Sequence, residues 1–392
     1  MKESSSHLKV YVTSHPDILG DPTRWIEGMG WDQNKWPGAQ YPYAFLTTSK
    51  DDFGREPLLR GRRIPLAPHG TPSWEDIDGG LIIRDEHGKL TGIFVDNAMD
   101  RIPSPPFSET RAMEYFTRTT SDALVVGLTS VHDAFSVPEE IQFYRKLSET
   151  QKIPLRLYFM GSVNSDEYWG SQIPRLIQHG FGGRWIVCSV KLFADGALGS
   201  FGAALLDDNP STSGIMRVRP EALTKLVMEF STDGWQVNVH GIGDRANHIV
   251  LDIYEDMLAN ASFSINVLQP RIKHTQILIL DNIKRTGKLG GQVTCSMLRI
   301  DWIQRESKAR MRIELYSSTH PSASRMLKHS KGMTLDIAYA SFSEDILGSL
   351  SIGKIADFVV LDREIMMVPI DDIPSAKGTA TVIDGEVVYG NL

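Results

Sequence analysis

The sequence predicts an α/β protein built on a parallel sheet, followed by a smaller β-rich unit. Three observations carry this expectation. Between residues 112 and 290, short apolar runs alternate with stretches of helical period through short connections, the pattern of parallel strands with crossover helices. Several of the runs carry chemistry-bearing residues at or near their ends: His132 and Asp133, Lys191, His240 and His274. The carboxyl ends of parallel strands are where such sheets assemble their sites. After residue 346 the helical period gives way to β-rich runs around an Asp384-Gly385 turn.

Taken in order, residues 1–110 read as a loop-rich, substrate-side region. Trp25, Trp31, Trp36 and Trp74 are four of the eight tryptophans, spaced by prolines and glycines. The loop 28–38 either holds polar groups over a pocket or caps a core with its tryptophans. Residues 80–95 read as a hairpin around His87-Gly88. Residues 111–345 form the strand–helix unit. Helices are predicted over 112–126, 138–149 (with Pro138 where its missing N–H costs least), 220–232, and from an Asp244 cap onward. In that last helix Ala246, Ile249, Val250, Ile253, Tyr254, Met257 and Leu258 make one apolar stripe. Strands are predicted over 128–133, 155–160, 185–195, 235–240 and 272–280. The pattern breaks after about 290. From 298 to 331 there are eight Lys/Arg against three Asp/Glu, with little periodicity after 315. A helix over 331–342 follows. Residues 346–392 then give a turn with a buried strand and the 380–389 hairpin, part of a small β domain.

Charge and cysteine usage exclude some functions. The net charge of −7 over 392 residues argues against a nucleic-acid or anionic-membrane partner. Two cysteines, Cys188 and Cys295, make no disulfide framework and read as reduced thiols. No apolar run approaches the ~18 residues of a membrane span, and no signal peptide is evident, so a cytoplasmic protein is expected.

The chemistry centres on Lys191. A lysine within an apolar strand is costly unless paired, neutralised or modified. Such an amine can be a base, a Schiff-base nucleophile or, after CO2 addition, a bridging anionic ligand. Alternatively its stem snorkels and the amine meets Asp195. His240 and His274 suit a divalent metal through neutral nitrogens. His132 and Asp133 read as ligands, orienting groups or a hydrogen-bonded pair. The Gly-x-Gly at 241–243 is a weak phosphate signal, and there is neither a P-loop nor a nucleophile elbow.

Several motifs together resemble one family. They are Lys191-Leu-Phe-Ala-Asp-Gly-Ala-Leu-Gly-Ser200, Val239-His-Gly-Ile-Gly-Asp-Arg-Ala246, Lys273-His-Thr-Gln-Ile-Leu278 and the Gly348–Asp362 stretch. In that order they resemble the amidohydrolase superfamily, and within it the branch called amidohydrolase family 3. The resemblance implies a (β/α)8 TIM-like metal-dependent hydrolase barrel with a small β-sandwich. It implies a divalent metal, usually zinc, held by a carbamylated Lys191 with His240 and His274 of the fifth and sixth strands. Trp31, Asp32, Asp195 and Arg245 are implied on the substrate side. The implied partner is a small-molecule substrate whose carbon–nitrogen bond is hydrolysed, and a homodimer is left open.

Residues 52–76 fit the family only loosely, and the sequence departs from it at two further places. No His-x-His occurs to end a first barrel strand, and no aspartate motif ends an eighth. The implied barrel is therefore incomplete and the chain reads as truncated. Its activity is impaired by this reading, and the alternative is a non-catalytic barrel remnant that binds a small molecule or a protein. Unpaired strand edges predict aggregation.

Overall fold

Six parallel strands make the main ladder of the protein, seen here in a computed structural model that describes residues 10–20, 75–88, 90–101, 106–206, 213–260, 265–289, 292–295 and 330–392. A hairpin comes first, β1 (Gly80–Arg84) and β2 (Leu90–Asp96), paired antiparallel. The ladder follows as β3 (Ser130–Ser136), β4 (Arg156–Gly161), β6 (Trp185–Phe193), β7 (Gln236–Gly241), β8 (Arg271–His274) and β9 (Gln292–Cys295), in that spatial order and all parallel. Strand β5 (Leu176–His179) runs antiparallel to the first half of β6, on the edge whose second half carries β7. Among the described residues no strand joins β3 to β9, so the ladder stays open.

The helices lie where the period placed them. α1 (Glu109–Val125) starts on Ser108, whose Oγ accepts from the Arg111 N–H. α2 (Pro138–Glu149) starts with its proline, and Glu140 accepts from the Val137 N–H at 3.1 Å. α3 (Pro220–Thr232), α4 (Asp244–Asn260) and α5 (Leu280–Leu289) follow β6, β7 and β8. Their apolar faces and the helix side of the sheet make one core. It includes Phe159, Trp185, Val187, Val190, Leu192, Leu226, Phe230, Val239, Val250 and Tyr254. Every residue of β4 is buried, as expected for a central parallel strand covered on both faces.

A second sheet, β10 (Phe358–Leu361), β11 (Gly378–Ile383) and β12 (Glu386–Gly390), is antiparallel and turns at Asp384-Gly385. It docks on α1, where Thr381 Oγ1 donates to the Leu124 carbonyl at 2.7 Å. Gly127 permits this approach: its φ is +82°, and an added Cβ would lie 2.4 Å from Val359 Cγ2. A partly buried ion-pair network ties the two sheets. Arg156 of β4 donates through Nε to Asp357 at 2.6 Å and also pairs with Asp384, which Arg184 holds from its other oxygen. The barrel-side floor and the hairpin turn are thus fixed to each other.

Two expectations need correction. The strand predicted over 272–280 ends at His274, because His274 and Thr275 both adopt positive φ (78° and 43°), which extended backbone does not allow. The strand within 347–362 is four residues long and only half-buried, with Val359 exposed. The implied β-sandwich is represented among the described residues by the three-stranded sheet and the separate β1–β2 hairpin, which do not pair. The basic segment 298–329 lies outside the described residues.

Candidate metal centre

Lys191 faces the side of the sheet away from the main helical core because of a bulge in β6. Strand β4 pairs Phe159 with Val187 and then Met160 with Ser189, so Cys188 is an extra residue. Side chains alternate in a strand, and one inserted residue exchanges the two faces beyond it. Trp185 and Val187 therefore pack on the helices, while beyond the bulge Val190 and Leu192 take the helix side and Lys191 and Phe193 the inner one. The register continues this face across the sheet. Lys191 pairs with Asn238 and Asn238 with Arg271; one layer on, Phe193 pairs with His240 and His240 with Lys273. By alternation His274 belongs on the other side. Its positive φ turns it back, and its ring lies 4.4 Å from that of His240, at 60°.

The Lys191 amine is buried, 4% exposed, and its Nζ has no hydrogen-bond partner. It sits 4.1 Å from the Phe193 ring centroid, and the Arg217 guanidinium sits 4.5 Å from the same ring. Burial first, then the charges of Lys273 and Arg217, push its pKa well below the ordinary lysine value. Burial thus favours the uncharged amine, and no hydrogen bond joins it to Asp195. Lys273 is lowered to about 8, by burial and by Arg271.

Asp195 is fully buried just beyond β6. Its oxygens accept from the backbone N–H groups of Ala204 (2.9 Å), Ile242 (3.0 Å) and Gly243 (2.8 Å). The carboxylate pins the loop after β6 to the loop after β7. That corrects its implied place against substrate, since both oxygens are taken by the backbone. Burial, with a contribution from Asp96, raises its pKa to about 6. His240 Nε2 lies 3.3 Å from the Gly196 carbonyl and 3.6 Å from Asp195. A neutral His240 that donates through Nε2 to Gly196 keeps its Nδ1 lone pair for a cation.

His240 is held well below the ordinary histidine pKa by burial, Lys191 and His274, and His274 is lowered to about 4 by burial, Lys191 and Lys273. His132 is lowered to about 3 by burial, Arg271 and Lys273. The folded state therefore binds fewer protons at these sites than the unfolded chain. Stability is fully present above the ordinary value of 6.5 and falls as pH drops from there toward 4. Asp195 opposes this: its raised pKa makes the folded state bind the extra proton between 3.8 and about 6. With three histidines against two aspartates raised by burial, Asp195 and Asp133, urea midpoints of chelator-treated protein should fall from pH 7 to pH 4.5, and a flat or rising profile would contradict the neutral-histidine assignment.

Neutral imidazoles in ring contact are suitable donors for a divalent cation. Among the described residues, no three His, Cys, Asp or Glu side chains converge as a cation site. His240 and His274 are in ring contact, and the unpartnered Lys191 lies on the same inner face. Other expected residues fall elsewhere. Trp31 and Asp32 lie outside the described residues. Arg245 opens α4 and donates through Nη2 to the Ser213 carbonyl at 3.3 Å, bracing the loop after β6; no described contact joins it to either histidine. His132 stacks on Tyr158 at 4.7 Å rather than bonding Asp133, whose carboxylate accepts from the Phe135 N–H. Cys188 is a buried free thiol. The inner residues Tyr158, Gln236, Asn238, Arg271 and Lys273 escaped the sequence reading, although counting by twos back from His240 and Lys273 reaches three of them.

Comparison with known proteins gives a consistent result. The amidohydrolase family profile matches residues 6–329 and 331–389. The chain is 29% identical over 293 residues to a putative amidohydrolase, YtcJ, of Bacillus subtilis, covering 68% of this chain and 52% of that one. It thus spans about half the length of that relative. It is 26% identical to the protein LONG AFTER FAR-RED 3 of Arabidopsis thaliana (93% of this chain, 74% of the other) and 24% identical to N-substituted formamide deformylase of Arthrobacter pascens (83% and 69%). Among solved structures, an uncharacterized metal-dependent hydrolase from Pyrococcus horikoshii OT3 superposes with a TM-score of 0.61 at 18% identity, over 90% of this chain and 79% of that one. The open parallel ladder is therefore a partial TIM-like barrel, and the chain belongs to the amidohydrolase family.

Proposed function

We propose that the protein is a metal-dependent hydrolase of a non-peptide carbon–nitrogen bond in a small amide-like substrate, with zinc held by His240, His274 and a carbamylated Lys191. The observation that carries this reading is the contact of the His240 and His274 rings on the same inner face as an unpartnered, buried lysine. Each residue has a role that its surroundings support. Low pKa values keep both imidazoles neutral, with nitrogen lone pairs available. The neutral Lys191 amine adds CO2: a C–N bond forms, one proton leaves to water, and an anionic carbamate results. Arg217 and Lys273 surround that anion with positive charge. Asp195 and the Gly196 carbonyl hold the His240 ring. A divalent cation bound there supplies Lewis acidity toward a carbonyl oxygen.

One observation favours a second reading, a barrel remnant that binds without catalysis. The carboxylate nearest His240 is Asp195, and its oxygens are engaged by three backbone N–H groups, so it is poorly placed to move a proton. A positioned proton shuttle is worth about 10²–10⁴-fold in rate. Formate release from N-alkyl formamides, followed by NMR on purified protein, tests the hydrolase reading. Release that stops with a chelator and returns with zinc is expected. No release favours the remnant, and release indifferent to the chelator contradicts the metal dependence.

A further inference from the structure

The inner face contains a second group of unsatisfied donors, below the two histidines. Arg271 opens β8, is 1% exposed, and has neither Nε nor Nη2 hydrogen-bonded. These two atoms form the side-on edge of the guanidinium, which matches the two oxygens of a carboxylate. Tyr158 lies beneath the guanidinium, 5.6 Å from ring centroid to Cζ, and its hydroxyl donates to Gln236 Oε1 at 2.5 Å. That bond leaves the buried Gln236 Nε2 pointing elsewhere, and it too is unpartnered. No described carboxylate pairs with Arg271, and the acidic groups nearest its charge are Tyr158, Cys188 and Tyr254, all protonated at neutral pH. A guanidinium keeps its charge when buried, so this one is an uncompensated cation facing a donor-lined floor.

We infer that this floor binds a carboxylate, seated on the Arg271 side-on fork with the Gln236 amide as a further donor, and that the amide substrate carries this carboxylate. The substrate half of the statement rests on the hydrolase reading; the binding half does not. Arg271 precedes His274 by three residues, about 10 Å along a strand, a span that a small acyl amino acid bridges with the help of the arginine side chain. With Nε and Nη2 both unpartnered, the fork offers two parallel N–H donors, the number that one carboxylate accepts side-on.

The test is a titration of the full chain with N-formylglycine and with its neutral analogue N-formylglycinamide, by calorimetry or ligand-observed NMR, with and without zinc. Tighter binding of the acid by at least about tenfold is expected, as is displacement by acetate at lower concentration than by inorganic phosphate. R271Q should abolish the preference and leave the amide unchanged; R271K, which keeps charge but loses the fork, should lose most of it. Equal binding of acid and amide by the unaltered chain overturns the inference without any variant, and so does stronger displacement by phosphate. Binding of the acid without hydrolysis leaves this inference standing and removes the catalytic reading; hydrolysis without preference for the acid does the reverse.

Discussion

Asp195→Ala is expected to lower unfolding free energy by about 3 kcal/mol or more, because three buried N–H groups lose their acceptor at about 1–3 kcal/mol each. The loss is not confined to one element. Asp195 lies beyond β6, Ala204 in the same loop, and Ile242 and Gly243 after β7, so one side chain closes the loops on both sides of His240. Asp195→Asn keeps one acceptor oxygen but turns an N–H toward other donors, and it should recover less than half of the loss. Urea unfolding of metal-free protein measures both. A change below about 1 kcal/mol for the alanine variant would show that water replaces the carboxylate, and that the loops are not pinned as described.

Lys191→Met should separate function from stability. The amine is buried without a partner, and an unsatisfied buried polar group costs about 1–3 kcal/mol. Methionine keeps the unbranched stem and removes that penalty, so the metal-free variant should be more stable by about 1 kcal/mol or more, measured by urea midpoint. Metal-dependent hydrolysis should fall by at least about 10²-fold, because the only described third donor beside His240 and His274 is gone. Lys191→Arg should fail in activity as well, since a guanidinium stays charged and adds no CO2. If Lys191→Met is instead clearly less stable, the amine has a stabilising partner in the folded chain and is not an unsatisfied buried group.

Much of the fold was legible because its signals are local. The helix over 138–149 carries a proline start and an apolar face, and it appears within those bounds. The 380–389 hairpin announces itself through Asp384-Gly385, with Asp384 at φ 56° and Gly385 at φ 81°. Lys191, His240 and His274 were legible as polar residues in apolar strands. What the sequence hid is non-local. The bulge at Cys188 decides which face Lys191 occupies, yet it is defined only by the register against β4. The positive φ of His274 brings its ring to His240 against the strand alternation, and no residue type near it signals this. Asp195 was placed on the substrate side by the family resemblance alone; its carboxylate is engaged by N–H groups 47 and 48 residues away. Arg271 and Lys273 had no role of their own in the sequence until the register placed them beside Asn238 and His240.

The central claim is that Lys191, His240 and His274 form one metal centre. Elemental analysis of the purified chain, after zinc loading and removal of free metal, tests it most directly. About one tightly held divalent ion per chain is expected, lost in His240→Ala and in His274→Ala while both variants still unfold cooperatively. Less than about 0.2 equivalents in the unaltered chain, or full retention by His240→Ala, would contradict it.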